Sequence, residues 1–167
     1  MESPGESLEM AAQGVLSPAD WLRAMPAELC KRWILDLEAF LLSLPGVKLG
    51  NAFPLRHSYG DGLYVREIFI PGGYVFTGRI HKYMNPQFLM SGECLLATEY
   101  HGLQHLVGPA LVMAVPGEKR AAIAISDLWM ITVHANADNR TDTLDIEERI
   151  FAWDYEAFQR FQEEGAR

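Results

Sequence analysis

GGYVFTGRIHKYMNPQFLMSGE, residues 72–93, sets Arg79, His81 and Lys82 inside a run that otherwise reads as β-strand. Side chains two apart on a strand share a face, so Arg79 and His81 point one way and Ile80 the other. Outward from this stretch, residues 63–136 form short β-rich runs broken by turn residues. LYVREIFI (63–70) ends at Pro71-Gly72-Gly73, YVFTGRIH (74–81) follows, and QFLM (87–90) runs up to Ser91-Gly92. CLLATEY (94–100) stops at His101-Gly102, and LVGPALVMAV (106–115) stops at Pro116-Gly117. AAIAI (121–125) and LWMITVHA (128–135) complete seven strand candidates. Near-regular spacing with no long helix among them predicts an all-β sandwich or barrel of the jelly-roll type.

The flanks read as helical. Ser17-Pro18-Ala19-Asp20 has the residues of a helix start, after a polar, Glu-rich stretch over 1–15 expected to be mobile. A second helix is predicted from Pro26 to Ser43. Leu29, Trp33, Leu37, Phe40, Leu41 and Leu44 give it one apolar face, and Pro45-Gly46 stops it. At the other end, Thr141-Asp142-Thr143 opens a stretch carrying Leu144, Ile146 and Ile150. Asp154 stands where it would cap a last helix bearing Phe158 and Phe161, expected to cover a strand edge. The expected organisation is a helical extension over 1–46, a barrel over 47–140 and a helical segment over 141–167.

Composition narrows the function classes. The chain has 167 residues, 49% hydrophobic and 22% charged, enough for one domain with a real core. Fourteen Lys and Arg against 22 Asp and Glu leave a net charge of −8, which disfavours nucleic acid as a partner. No run is apolar enough to span a membrane, and the acidic N-terminus is unlike a secretion signal; the expected compartment is the cytoplasm. Cys30 and Cys94 are then expected as thiols rather than a disulfide. GDG at 60–62 is a turn signal, and HANADNRTD at 134–142 lacks the spacing of a calcium loop.

Residues 72–93 resemble the first motif of the cupin superfamily, a glycine, five residues, His-x-His, three or four residues, a glutamate, six residues and a glycine. Gly73, Arg79-Ile80-His81, Asn85 and Gly92 match its spacing throughout. Arg79 stands at the first histidine and Asn85 at the glutamate. The second motif matches loosely, with Gly108, Pro116-Gly117, and Arg120 at the third histidine. Over roughly residues 54–150 the order of motifs also looks like small cupin-like proteins encoded by phages and prophages. The resemblance implies a cupin-like jelly-roll barrel; the helical N-terminal extension lies outside it, and the expected fold is that all-β barrel with this extension and a C-terminal helix.

The cupin position of His81 implies a ligand role. Strand parity puts Met130, Thr132 and His134 on one face, so His81 and His134 would meet if both look into the barrel. Two imidazoles with a carboxylate or water suit one divalent transition metal, Zn, Fe, Mn or Ni. By residue type His57, ahead of the first strand, and Glu67, on it, are the candidates for a third ligand. Arg79 and Arg120, with Asn85 nearby, suit a small anionic molecule, because guanidinium grips carboxylate or phosphate in a bidentate fork. The same arginines could instead form ion pairs with Glu67, Glu93 or Glu118 at the surface. The other reading is a non-enzymatic interaction or assembly module without metal, a homo-oligomer or protein partner joining through the helical ends. Trp21, Trp33, Phe40, Trp153, Phe158 and Phe161 would serve such contacts or an ordinary core equally well.

Overall fold

A computed structural model describes residues 26–49 and 52–165; the predicted helix start at Ser17–Asp20 and Trp21 lie outside them. The chain runs α1 (Ala27–Ser43), β1 (Leu55–Gly60), β2 (Gly62–Ile70), β3 (Val75–Thr77), β4 (Ile80–His81) and β5 (Asn85–Ser91). It continues through β6 (Glu93–Thr98), β7 (Gly102–Val107), β8 (Ala110–Ala114), β9 (Arg120–Ala124) and β10 (Leu128–Asn136). It closes with α2 (Thr143–Ile150), β11 (Phe151–Ala152) and α3 (Tyr155–Gly165). No helix among the described residues is long and apolar enough to cross a membrane.

The strands form a five-stranded sheet, β1-β2-β10-β5-β8, and a four-stranded sheet, β3-β9-β6-β7, with β4 paired to β11 apart from both. Every pairing is antiparallel. Ile70, Leu89 and Leu128 from the first sheet pack with Cys94 and Ala124 from the second, so the two sheets face each other across one core. Apart from the β1–β2 and β6–β7 hairpins, strands that follow one another in the chain lie apart in space, giving 2-10-5-8 against 3-9-6-7. That interleaving is the double Greek key of a jelly roll.

Three strand readings need correction. Residues 55–60 are a strand, and the Gly60-Asp61-Gly62 turn makes a hairpin with β2, so His57 lies on β1 rather than before the sheet. The run 74–81 is interrupted at Gly78-Arg79, because β4 leaves the sheet to pair with β11. The run 106–115 is two strands joined by Gly108-Pro109. Gly92 could be no other residue: its φ is +97°, and a Cβ there would collide with the Asp127 carbonyl oxygen.

α1 docks on the four-stranded sheet. Cys30 and Ile34 are its buried residues, packed on Ala121 with Trp33 and Leu37 beside them. Covering Ile34 completely contributes roughly 2 kcal/mol. The face is rotated from the predicted one: Leu29, Phe40 and Leu44 are exposed. The reason is polar. Glu38 accepts from Lys119 at 2.8 Å and from Thr77 at 2.8 Å, which fixes the helix by its hydrophilic flank as well.

Both C-terminal caps form as expected. The Asp142 carboxylate accepts from the Leu144 and Asp145 amides, and that of Asp154 from Ala157. Phe158 and Phe161 pack on Ile80 and Ala152, so these aromatics serve the core. Cys30 and Cys94 are buried free thiols.

Candidate functional site

β2 and β10 pair in register, which sets Tyr64 opposite His134 on the inner face of the five-stranded sheet. His81 reaches the same space from β4. The two imidazoles are buried and lie 5.6 Å apart, within 7° of parallel. Phe151 of β11 stands edge-on to both, at 4.9 Å from His81 and 5.7 Å from His134. Burial, then the neighbouring His134, then the Arg120 and Arg66 guanidiniums push the His81 pKa down to about 3. Burial and Arg66 push that of His134 down to about 4. Both rings are neutral near pH 7.

A chain of hydrogen bonds sets which nitrogen of His81 carries the proton. Arg120 Nη1 donates to Gln87 Oε1 at 2.7 Å, so the Gln87 amide turns its NH₂ toward the ring. Gln87 Nε2 lies 3.0 Å from His81 Nε2 and donates to it. The proton is therefore on Nδ1, and the Nε2 lone pair is engaged. Arg120 is held in turn by Glu118 Oε2, at 2.9 Å from Nε and 2.7 Å from Nη2, and donates to the Met113 carbonyl. This is the Arg120–Glu118 pairing the sequence allowed, but with Glu118 fully buried it is an interior network. Asn85 is buried beside it. Its side chain faces His81 as a hydrogen-bonding partner, which acts to raise that ring's pKa against the larger lowering effects of burial and charge.

A second cluster closes the barrel end. Glu147 of α2 is 4% exposed, with Arg79 Nη1 at 2.9 Å and Arg66 Nε at 3.8 Å from its two carboxylate oxygens. The Arg79 guanidinium also lies over the Trp153 ring at 4.3 Å. Arg79 thus engages a side-chain carboxylate of α2, Glu147. Its expected partners Glu67 and Glu93 are elsewhere: Glu93 meets His105 at 2.7 Å.

The third-ligand candidates do not join the histidine pair directly. Glu67 is on the opposite face of β2, where it accepts from Trp129 Nε1 at 3.0 Å. His57 Nδ1 is 2.8 Å from the Tyr64 hydroxyl, so Tyr64 stands between it and His134.

These residues do not fit a transition metal. A metal needs three or more converging donors, and no group of three His, Cys, Asp or Glu comes together among the described residues. The near-parallel rings of His81 and His134 send their lone pairs along parallel planes rather than to one point. The Arg120 and Arg66 guanidiniums beside the pair oppose a cation there, and Gln87 takes the lone pair that His81 would offer. An apolar cavity of about 30 Å³ lies deeper in the core, lined by Phe76, Gln87, Leu89, Leu96, Leu106 and Met130 but by neither imidazole, far below the roughly 300 Å³ or more of metabolite pockets.

Parity along LYVREIFI already groups Tyr64 and Arg66 with the buried Ile70, which could have pointed to both. Gln87 is on the inward parity of β5. Glu147 carries no such signal, being one acid among several on a helix.

No family model matches the chain, and no match was found among curated proteins. Solved structures similar to it include KdgF from Halomonas sp., 13% identical over 58% of this chain and 89% of that one, with a TM-score of 0.46. A cupin superfamily protein from Desulfitobacterium hafniense DCB-2 is 11% identical over 53% and 81%, with a TM-score of 0.43. An RmlC-like cupin family protein from Methanocaldococcus jannaschii, with a double-stranded β-helix fold, is 14% identical over 54% and 87%, at 0.41. At this similarity no residue role is carried across. By its own strand order the chain is an all-β, cupin-like jelly roll with helices at both ends.

Proposed function

We propose that this chain is a cupin-like interaction or assembly module, acting through its surface rather than through a metal in the barrel. The observation that carries this reading is the engagement of the interior by the chain itself. Gln87 donates to the His81 lone pair, Arg120 is bound by Glu118, and the Glu147 carboxylate stands between Arg66 and Arg79. Polar groups engaged with one another in this way stabilise one arrangement of the barrel and leave less for a ligand.

One observation favours a second reading. A carboxylate held between two guanidiniums has the recognition chemistry of a small-anion site, so a dicarboxylate or phosphate able to displace Glu147 would bind there.

Thermal unfolding separates the readings. The purified protein is melted with EDTA, with Zn, Ni, Mn or Fe(II) salts, and with a panel of dicarboxylates and phosphate; metal content is measured by elemental analysis. The module reading expects no more than about 1 °C of change, since a ligand at a hundredfold its Kd would add about 2.7 kcal/mol. One metal per chain, lost in His81→Ala, would overturn it. Stabilisation by an anion, lost in Arg79→Ala, would replace it with the second reading.

A further inference from the structure

The outer face of the five-stranded sheet is the surface the interior leaves unexplained. Across its middle, register aligns Arg56, Glu67, Ile131, Phe88 and Leu111, one from each of β1, β2, β10, β5 and β8. Phe69 and Trp129 stack beside this row at 6.0 Å, and Met113 extends it on β8. Leu111 is 58% and Met113 42% exposed. Among the described residues α1 packs on the other sheet, and α2 meets β2 through the inward-facing Tyr64 and Arg66 rather than on this outer face.

The charge of this face differs from that of the chain. A protein of net charge −8 repels its own copy over most approaches. Here the only charges in the row are Arg56 and Glu67, adjacent and of opposite sign. Arg56 lies over the Phe69 ring at 5.5 Å, and Glu67 is bound by Trp129. A second copy therefore meets a neutral apolar surface here, free of the excess negative charge that the chain carries as a whole. The composition, aromatic with Met and one Arg and without Lys, is that of an interface centre.

Resting on the module reading above, we infer that the partner is a second copy of this chain, docked sheet to sheet through this face. Twisted sheets pack face to face about 10 Å apart and some 30° from parallel. A two-fold axis in the interface plane, passing over Ile131 and inclined about 15° to β10, the central strand, satisfies that geometry and puts Ile131 against its own copy. β2 then lies over the partner's β5, bringing the Phe69–Trp129 stack to the aromatic centre, and Arg56 falls at the polar rim. Five strands at about 4.8 Å and three outward rows at about 6.8 Å give roughly 480 Å² per chain, near 1,000 Å² for the pair. That reaches the lower bound for a specific interface, about 1,000 Å², and points to a dimer that dissociates on dilution.

Sedimentation velocity from about 1 to 200 µM tests this. The wild type is expected to shift from monomer to dimer over that range. Ile131→Glu, which opposes two carboxylates across the axis, is expected to raise the dimer Kd about 100-fold or more. Leu111→Lys, on the edge strand and more exposed, gives a second perturbation should the first impair folding; both are melted to verify the fold. Phe40→Glu on α1 is the control and leaves the dimer intact. A wild type monomeric throughout, or a dimer lost only in Phe40→Glu, overturns the inference. The module reading itself fails by a different result, stabilisation by metal or anion.

Discussion

Lowering the pH from 7 to 5 tests the buried histidine pair directly. In the unfolded chain a histidine takes up a proton near pH 6.5, whereas in the folded barrel His81 and His134 wait until about 3 and about 4. Below pH 6.5 the unfolded state binds more protons than the native state, so stability falls as pH falls. Their contribution is fully present above 6.5 and lost progressively beneath it. Each histidine costs about 1.4 kcal/mol per pH unit in that window, hence about 2 kcal/mol apiece and about 4 for the pair at pH 5. Against a typical domain stability of about 5–15 kcal/mol this is a large fraction. Asp138, whose carboxyl is held down by Arg149 and Arg140, contributes only at lower pH. Urea unfolding at pH 7, 6, 5.5 and 5, followed by tryptophan fluorescence, measures the loss. His134→Gln is expected to remove about half of the slope, whatever it does to stability at pH 7. A wild-type loss below about 1 kcal/mol between pH 7 and 5 would refute the claim that both rings are held neutral. So would a slope unchanged in the His81→Asn, His134→Gln double variant.

Two further outcomes follow from the packing. Glu147→Gln removes the carboxylate shared by Arg66 and Arg79 and is expected to cost about 3 kcal/mol in urea denaturation, the low end for a buried pair because Arg79 is partly exposed. A loss under 1 kcal/mol would mean that the barrel end is not held shut by this contact. Gly92→Ala meets both a positive φ and the Asp127 carbonyl oxygen, so it is expected to destabilise by at least about 2 kcal/mol. A melting temperature equal to wild type would show that the β5–β6 turn has another conformation open to it.

Much of this architecture is legible along the chain. Short apolar runs separated by Pro-Gly, Ser-Gly and Ser-Asp signals give the β content, and the Gly73–Gly92 spacing points to the jelly roll. Parity predicts that His81 and His134 look into one space, because a strand's period of two is a local property of the backbone. Asp142 and Asp154 announce their helices for the same reason: a cap acts on amides two or three residues away. The α1 face was read less well, since Lys119 and Thr77, distant in sequence, anchor Glu38 and rotate the helix.

What those histidines can do was decided only by folding. Glu67 has the chemistry of a ligand but the wrong parity, and Trp129 holds it outside. Gln87 reaches His81 with its amide turned by Arg120, from a strand 33 residues further on. Glu147 comes from the C-terminal helix, 68 residues after Arg79, to stand between two guanidiniums. The sequence alone determined the β content, the starts of the last two helices and the alternation of faces along β2, β5 and β10, each set by neighbours a few residues apart. Which polar atoms are already engaged depends on hydrogen bonds and charges converging from remote segments, and that only the tertiary structure decides.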